Sequence, residues 1–175
     1  MFLNINFNGD SSVMASILKV NTIQDATNST TAMTIDSSGR VLTPAKPSFC
    51  AYEDSGGYQI DATNTIRYQT TTCNVGNHYN TSTYKFTAPI AGAYYFSFTA
   101  WTDSSALTRT GFFQNDTAVG NSSFPIGGRL KGSADMLNGG SCIVQMAVSD
   151  TMEVKVYAGS VNSFGSNYFL GYLIG

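Results

Sequence analysis

The sequence predicts an all-β protein, and three local features support this fold class. Residues 93–98 alternate in side-chain direction and place large aromatic rings on both faces, which is typical of a central strand covered on each side. Pro89, which cannot donate to a sheet ladder, and Gly92, which permits a positive φ, predict a sharp bend between this strand and the run at residues 84–87. No segment of ten residues shows a 3.6-residue period with helix caps.

The N-terminal segment (residues 1–46) is predicted to be a domain of its own. Residues 1–13 alternate between apolar and polar side chains, which allows a single strand that requires a partner chain. Residues 14–43 have two short apolar patches, and the turn Asp36–Gly39 interrupts the second one. Neither patch can bury itself within so short a segment. We therefore expect a short intertwined β segment in which three copies share a core.

The link Pro44–Pro47 is semi-rigid, because each proline excludes helix from the residue before it. It leads into the second predicted domain, the head (residues 47–175). We expect the first strand of the head at Ser48–Tyr52 and a later strand with one polar face at Thr65–Thr72. Residues 121–140 are rich in Gly and Ser and are predicted to be the least regular part of the head.

Composition and charge exclude several classes of partner. Nine basic and eleven acidic residues give a net charge of −2, which leaves no basic face for a nucleic acid. No apolar run is long enough for membrane insertion, and the N-terminus lacks the basic start and apolar run of a secretion signal. Cys50, Cys73 and Cys142 are odd in number and far apart. We expect buried free thiols in a protein that folds in a reducing cytoplasm.

The titratable residues form no recognisable catalytic or metal-binding motif. The single histidine, His78, lies among polar residues and is predicted to be an ordinary loop residue rather than a catalytic base. Zinc would require several closely spaced His or Cys ligands. Most acidic residues stand singly beside Gly, Ser, Asn or Thr, which is typical of turns rather than of paired hydrolytic carboxylates. We expect no enzymatic activity, no cofactor and no metal site.

A motif at residues 86–96 reads Phe-Thr-Ala-Pro, two further residues, then Gly-Ala-Tyr-Tyr-Phe. It resembles the globular-head family of complement component 1q, whose wider kin are the tumour-necrosis-factor-like jelly rolls. The resemblance continues in chain order through Gly111–Asp116, the paired strands Ser141–Met146 and Met152–Val156, and the closing strand Phe169–Ile174. Between the paired strands, Ser149-Asp150 stands where the family usually has Gly-Asp.

This resemblance implies a ten-strand-type jelly-roll sandwich head that forms a homotrimer. It places five aromatic residues on strands near the trimer axis, as core or subunit contacts, and assigns them to the trimer interface: Tyr94, Phe96, Phe98, Phe169 and Tyr172. Trp101 is interpreted as a residue at the edge of the core, with stacking on a ligand as the alternative. Some heads of this family hold calcium with loop carboxylates, but no Asp-x-Asp-x-Asp series occurs here.

Two N-terminal stretches resemble parts of virus particles. Met33–Val41 resembles the short shaft repeats of bacteriophage tail fibres, and Ile17–Asp25 is similar to the starts of structural proteins from marine phages. These resemblances imply a trimeric virion structural protein, a tail fibre or similar appendage, that is assembled in the host bacterial cytoplasm. It is expected to contact other virion proteins through residues 1–43 and to recognise the host surface with its head.

We expect recognition, with a host-surface glycan as partner, on head loops distal to the N-terminus. The candidate loops are residues 103–109 and 121–140, and the candidate ligand-binding residues are Arg129, Lys131 and Asn138. Two alternatives stay open. One is a capsid or tail decoration or capping protein without receptor binding. The other is an appendage glycan hydrolase, which the single histidine and the scattered carboxylates disfavour.

Overall fold

The computed structural model describes residues 19–54, 58–102, 107–130, 136–163 and 167–175. The chain divides into two compact units, Met1–Pro44 (the N-terminal unit) and Ala45–Gly175 (the head), so the division falls two residues before the predicted boundary. Every regular element in the described ranges is a strand, which confirms the all-β prediction. Within the same ranges, no helix is long and apolar enough to cross a membrane.

In the described part of the N-terminal unit, three strands form an antiparallel sheet within one chain: β1 (Thr22–Gln24), β2 (Thr31–Ile35) and β3 (Val41–Leu42). Asp25 and Asp36 begin the connecting turns, and each carboxylate accepts hydrogen bonds from backbone N–H groups of its own turn. The large apolar side chains stay exposed, namely Ile23, Ile35, Val41 and Leu42. The strands therefore pair inside one chain, but the sheet does not bury its apolar patches.

The head continues the strand numbering. Its strands are β4 (Ser48–Tyr52), β5 (Tyr58–Asp61), β6 (Thr70–Val75), β7 (Tyr79–Asn80), β8 (Lys85–Thr87), β9 (Gly92–Thr102), β10 (Thr108–Gln114), β11 (Thr117–Ala118), β12 (Gly120–Asn121), β13 (Phe124–Pro125), β14 (Gly127–Leu130), β15 (Met136–Met146), β16 (Thr151–Ala158), β17 (Ser160–Ser163) and β18 (Tyr168–Leu173). All pairings between them are antiparallel.

Two sheets form the body of the head. The five-stranded sheet has the order β15-β9-β18-β4-β6. The six-stranded sheet has the order β11-β10-β16-β8-β7, with β14 also paired to β10. Two short ribbons, β12–β13 and β5–β17, complete the described strands of the head.

Aromatic rings from both sheets meet in the core. Phe49 of β4 and Phe96 of β9 come from the five-stranded sheet, and Phe86 of β8 comes from the six-stranded sheet. The Phe86 ring centroid lies 5.1 Å from that of Phe49 and 5.6 Å from that of Phe96. Aromatic pairs at such distances stabilise a core by more than the apolar area they bury. The two sheets are thus held face to face by a continuous aromatic layer.

Consecutive strands of the head do not always pair. β8 and β9 lie in opposite sheets, so the bend at Pro89 takes the chain from one sheet to the other. Gly92 has no positive φ, contrary to the role expected for it. Its hydrogen is needed for close packing, because a Cβ there would stand 2.7 Å from Leu173 Cδ1. β15 and β16 also lie in opposite sheets, so the predicted pairing of Ser141–Met146 with Met152–Val156 is wrong.

Two segments differ from their predicted local structure. The strand predicted at Thr65–Thr72 begins only at Thr70, and the residues before it run beside β16, where Ile66 N–H donates to Val154 O at 2.8 Å. Residues 121–140 include β13, β14 and the start of β15 in their described part. The prediction that this stretch is the least regular part of the head is therefore wrong.

The three cysteines are free, but their environments differ. Cys142 is buried, as predicted. Cys50 is half-buried and Cys73, on the edge strand β6, is exposed, so the prediction of three buried thiols is wrong. Cys50 and Cys73 are opposite one another in the pairing of β4 with β6.

Candidate functional surfaces of the head

The five residues predicted at a trimer interface divide between the two faces of the five-stranded sheet. Four are at most 1% exposed within a single chain and form its core: Tyr94, Phe96, Phe98 and Phe169. A side chain buried in its own chain cannot contact another copy, so the interface assignment is wrong for these four. Tyr172 is 45% exposed on the opposite side of the sheet, which we call the outer face. These strands are apolar on both faces, and the sequence does not show which face the second sheet covers.

An apolar row crosses the outer face. Ile143 of β15, Tyr95 of β9 and Tyr172 of β18 occupy adjacent register positions on three neighbouring strands. The Tyr95 and Tyr172 ring centroids are 5.3 Å apart, and Ile143 is 66% exposed. Leu170, two residues before Tyr172, is half-buried. We call these four residues the outer-face row, and none of them is charged.

Trp101 lies near the other end of β9 and on the same face as the row. Its neighbour Ala100 is buried, and alternation along β9 therefore turns the half-buried Trp101 outward. Its register partner on β15, Leu137, is exposed. The backbone N–H of Trp101 donates to Oδ1 of the buried Asn167 at 2.6 Å, which fixes the strand at this point. Trp101 thus belongs to the outer face rather than to the core between the sheets.

The structure describes two of the three residues predicted to bind a ligand, and these two differ in exposure. Arg129 is exposed on β14, and Lys131 lies outside the described residues. Asn138 is only 5% exposed on β15, where its Oδ1 accepts a hydrogen bond of 2.5 Å from Thr110 Oγ1 of β10. Its prediction as a ligand-binding residue is wrong, because the side chain bridges the two sheets. Gly128 permits this bridge, since a Cβ at that position would overlap Asn138 Oδ1.

A network of four charged side chains stabilises the six-stranded sheet. Glu153 of β16 is fully buried, and its Oε1 lies 3.0 Å from Lys85 Nζ and 3.3 Å from Lys155 Nζ. The exposed Asp116 lies 3.2 Å and 2.5 Å from the same two nitrogens. The hydrogen bond from Lys155 is the largest cause that holds the pKa of Asp116 well below its ordinary value. Thr65 Oγ1 donates to Glu153 Oε2. The charges of the two carboxylates balance those of the two ammonium groups, which leaves no net charge to attract a ligand. We therefore interpret the network as structural.

The described residues contain no group of three or more His, Cys, Asp or Glu side chains that could hold a metal ion. His78 is half-buried between β6 and β7, with its ring close to Gly76. In the described part of the chain, the ring makes no hydrogen bond to a hydroxyl, a thiol or a carboxylate. This geometry provides no activated nucleophile.

Sequence reasoning missed two features of the surface. The outer-face row depends on which side of the sheet is covered, and no local pattern signals this choice. Arg109 of β10 lies directly opposite Arg129 of β14, although twenty residues separate them in the chain. Only the strand register brings the two arginines together.

Comparisons with known proteins agree with this architecture. The family model described as the C1q domain matches residues 48–174. The globular domain of zebrafish complement 1qA protein is similar in structure, with a TM-score of 0.60, 15% identity, and coverage of 74% of this chain and 98% of that chain. The Eiger TNF from S. frugiperda gives a TM-score of 0.56 at 8% identity, and covers 75% of this chain and 94% of that chain. No curated protein matches the chain. At these identities, the two structures show a shared jelly-roll fold.

Proposed function

Because the chain belongs to the C1q domain family, we propose that its head assembles as a homotrimer and is the binding module of a virion appendage. C1q- and TNF-like domains commonly form homotrimers and are typically binding or structural domains rather than enzymes. A trimeric head presents three copies of each surface loop on one particle. Such multivalency raises the avidity of weak individual contacts.

The outer-face row is the observation that supports a trimer most directly. Tyr95, Tyr172, Leu170 and Ile143 form an uncharged apolar surface, whereas the opposite face of β9 and β18 is buried in the core between the sheets. Obligate interfaces are apolar and depleted of charge, and commonly bury about 2,000 Å² or more. Contact between copies through this face would remove the row from water and complete the burial of β9 and β18.

A charge placed in the row tests the trimer. We expect Tyr172→Asp and Ile143→Asp to reduce the mass measured by light scattering from that of a trimer to that of a monomer, because a carboxylate would have to be desolvated at the interface. Ile126→Asp, at an exposed position between β13 and β14 and away from the five-stranded sheet, is the matched control and should remain trimeric. A parent chain that is a folded monomer at micromolar concentration, or row variants that keep the trimer mass, would contradict the proposal.

The virion role is supported by the N-terminal unit. Its segments 17–25 and 33–41 resemble phage structural proteins and fibre shafts, and its small sheet leaves four apolar residues without cover in the described chain. We infer that residues 1–43 attach the trimer to other virion proteins. On this proposal the chain is assembled in the bacterial cytoplasm and carried on the particle, and the head recognises a bacterial surface glycan.

Binding of the labelled full-length chain to a panel of bacterial strains tests the recognition role. We expect binding to a subset of strains, and its loss when surface polysaccharide is removed from those cells. A trimer that binds none of the strains would favour a decoration or capping protein. Release of soluble saccharide from bound cells would favour a glycan hydrolase. A cryo-electron microscopy map of the source particle would place the chain on it.

A further inference from the structure

Two arginines face each other on the six-stranded sheet. Arg109 of β10 and Arg129 of β14 are direct register partners in an antiparallel pair. The neighbours of Arg109 within β10, Thr108 and Thr110, are buried, so alternation turns Arg109 outward. Directly opposite residues have Cβ atoms about 4.5–5.5 Å apart, and like charges in this position destabilise a sheet. The register therefore places two positively charged side chains directly opposite one another, a pairing that ordinarily destabilises a sheet.

In the part of the chain that the structure describes, two lysines of the same sheet, unlike these arginines, have carboxylate partners. Lys85 and Lys155 each form ion pairs with both Asp116 and Glu153. Within the described residues, neither Arg109 nor Arg129 forms an ion pair or donates a side-chain hydrogen bond. The chain has more acidic than basic residues, eleven against nine, so a shortage of carboxylates does not explain the difference.

The Arg109 guanidinium lies over an aromatic ring. Its Cζ lies 5.2 Å from the centre of the Phe124 ring of β13, a distance at which cation–π attraction operates. Pro125, the next residue, occupies the space where a Gly111 Cβ would stand, so the β12–β13 ribbon lies close against β10. Arg109 Nε is buried in the described structure and has no hydrogen-bond partner. The ring contact and the buried Nε restrict the side chain, and a side chain that is already restricted loses less entropy when it binds a ligand.

We propose that Arg109 and Arg129 form a binding site for an oxyanion carried by a saccharide, as a sulfate or a carboxylate substituent. Guanidinium groups present planar pairs of donors that match the oxygens of these anions, and two of them can share one anion. The bound anion would remove the repulsion between the arginines. The inference rests on the proposed recognition of glycans and names the ligand chemistry. Compared with the ligand-binding residues predicted from the sequence, this site keeps Arg129, adds Arg109 and omits the buried Asn138.

Titration of the full-length chain with three polysaccharides tests the site. The probes are dextran sulfate, polygalacturonic acid and uncharged dextran, and calorimetry measures binding at low salt. We expect the parent to bind at least one of the two anionic probes and not dextran, and Arg129→Gln to weaken that binding at least tenfold. Arg109→Gln should do the same where it folds. Arg40→Gln, which removes one arginine from the N-terminal unit, is the charge-matched control and should bind as the parent does.

Thermal unfolding gives a second readout that a purely structural arginine would not produce. Without anion at low salt, Arg129→Gln should unfold at the same temperature as the parent or a higher one, because the repulsion is relieved. Inorganic sulfate should raise the unfolding temperature of the parent and leave that of Arg129→Gln unchanged. A lower unfolding temperature for Arg129→Gln, together with an unchanged response to sulfate, would overturn the proposal.

The outcomes separate this site from the wider proposal. Binding of an anionic or neutral polysaccharide that survives both arginine substitutions would refute the arginine site and leave glycan recognition standing elsewhere on the head. A parent that binds no polysaccharide probe, and no bacterial strain of the panel, would refute both.

Discussion

The three free thiols differ in the exposure of their sulfur atoms, and this difference sets their reactivity. Burial raises the pKa of Cys142 to about 12, so almost none of this thiol is ionised near neutral pH. Cys73 is exposed on an edge strand. We expect iodoacetamide at pH 8 to alkylate Cys73 at least about ten times faster than Cys142. Mass spectrometry of tryptic peptides measures both rates. Alkylation of Cys142 in the folded chain at the rate of Cys73 would contradict the described burial.

The two acids of the charged network should differ in their contribution to stability. Glu153→Gln leaves two partly buried lysines without their buried counter-ion, and we expect a loss of about 1–3 kcal/mol in the free energy of unfolding. Asp116→Asn removes an exposed carboxylate from the same lysines and should cost about 0–1 kcal/mol. Urea titration followed by circular dichroism measures both. Equal losses in the two variants would mean that burial does not decide the energy of this network.

The same network predicts a pH dependence. The pKa of Asp116 in the folded chain lies below its unfolded value because of Lys155 and its other partners. Its contribution to stability is therefore fully present above the unfolded pKa, about 3.9, and is lost as the pH falls through the folded value. We expect the thermal stability of the parent to decline below about pH 4 and the decline to be shallower in Asp116→Asn. Identical acid profiles would exclude this contribution.

For single residues in strands, alternation correctly predicts which side chains share a face, but it does not predict which face is exposed to solvent. Tyr94, Phe96 and Phe98 share one face, as their spacing required, yet the sequence could not show that this face lies between the sheets. Asn138 and Glu153 are polar residues in strands, where exposure is the ordinary expectation. Both have polar partners in the fold. Asn138 accepts a hydrogen bond from Thr110 of the other sheet, and Glu153 is paired with Lys85 of β8 and with Lys155, two residues further along β16.

Among the connections between strands, the turn from β15 to β16 has a serine where the family usually has glycine, and side-chain hydrogen bonds hold this turn. Ser149 has a φ of 70° in the turn before β16, a value at which a non-glycine residue is strained. Asp150 Oδ2 accepts hydrogen bonds from Ala147 N–H at 2.7 Å and from Gln114 Nε2 at 2.8 Å, and its Oδ1 accepts one from Asn115 Nδ2 at 2.7 Å. These bonds lower the pKa of Asp150, with Asn115 as the largest cause. The turn geometry is therefore kept without the usual glycine.

Ser149→Gly should stabilise the head, because glycine adopts a positive φ without a Cβ clash. We expect a gain of about 0.5–1 kcal/mol, since relief of the strain exceeds the added entropy of the unfolded chain. The control is Ala118→Gly in β11, where the φ is not positive, and a loss of about 0.5–1 kcal/mol is expected. Urea midpoints of the two variants should thus move in opposite directions. A midpoint of Ser149→Gly below that of the parent would contradict the strain argument.

The order of strands in the sheets was the least predictable property of the elements. Turn residues such as Pro89 and Asp150 indicate where the chain bends, but they do not determine whether the next strand pairs with the previous one or crosses to the other sheet. The crossing depends on close approaches such as that of Gly92 to Leu173 at the end of β18. The residues that meet are about eighty positions apart, beyond the reach of local patterns.

At the scale of the whole molecule, the two units differ in how completely they bury apolar residues. The head has an aromatic core that involves both sheets, and the family match covers nearly all of it, residues 48–174. The described sheet of the N-terminal unit exposes Ile23, Ile35, Val41 and Leu42. Ordering the backbone costs about 1–2 kcal/mol per residue. A sheet that leaves its apolar side chains exposed gains too little from burial to offset this cost. The head should therefore fold alone, whereas the N-terminal unit depends on neighbouring chains.

A chain truncated to residues 45–175 tests this difference. We expect it to keep the β-rich circular dichroism spectrum of the parent, the same number of copies by light scattering, and a cooperative thermal transition. A peptide of residues 1–44 alone should give the narrow amide dispersion of an unfolded chain in a proton NMR spectrum. Fusion of this peptide to an unrelated trimeric domain should restore dispersion, because three copies then cover one another's apolar residues. If the truncated head unfolds or loses its assembly state, or if the isolated peptide folds as a monomer, the two units are not independent in the way that their burial indicates.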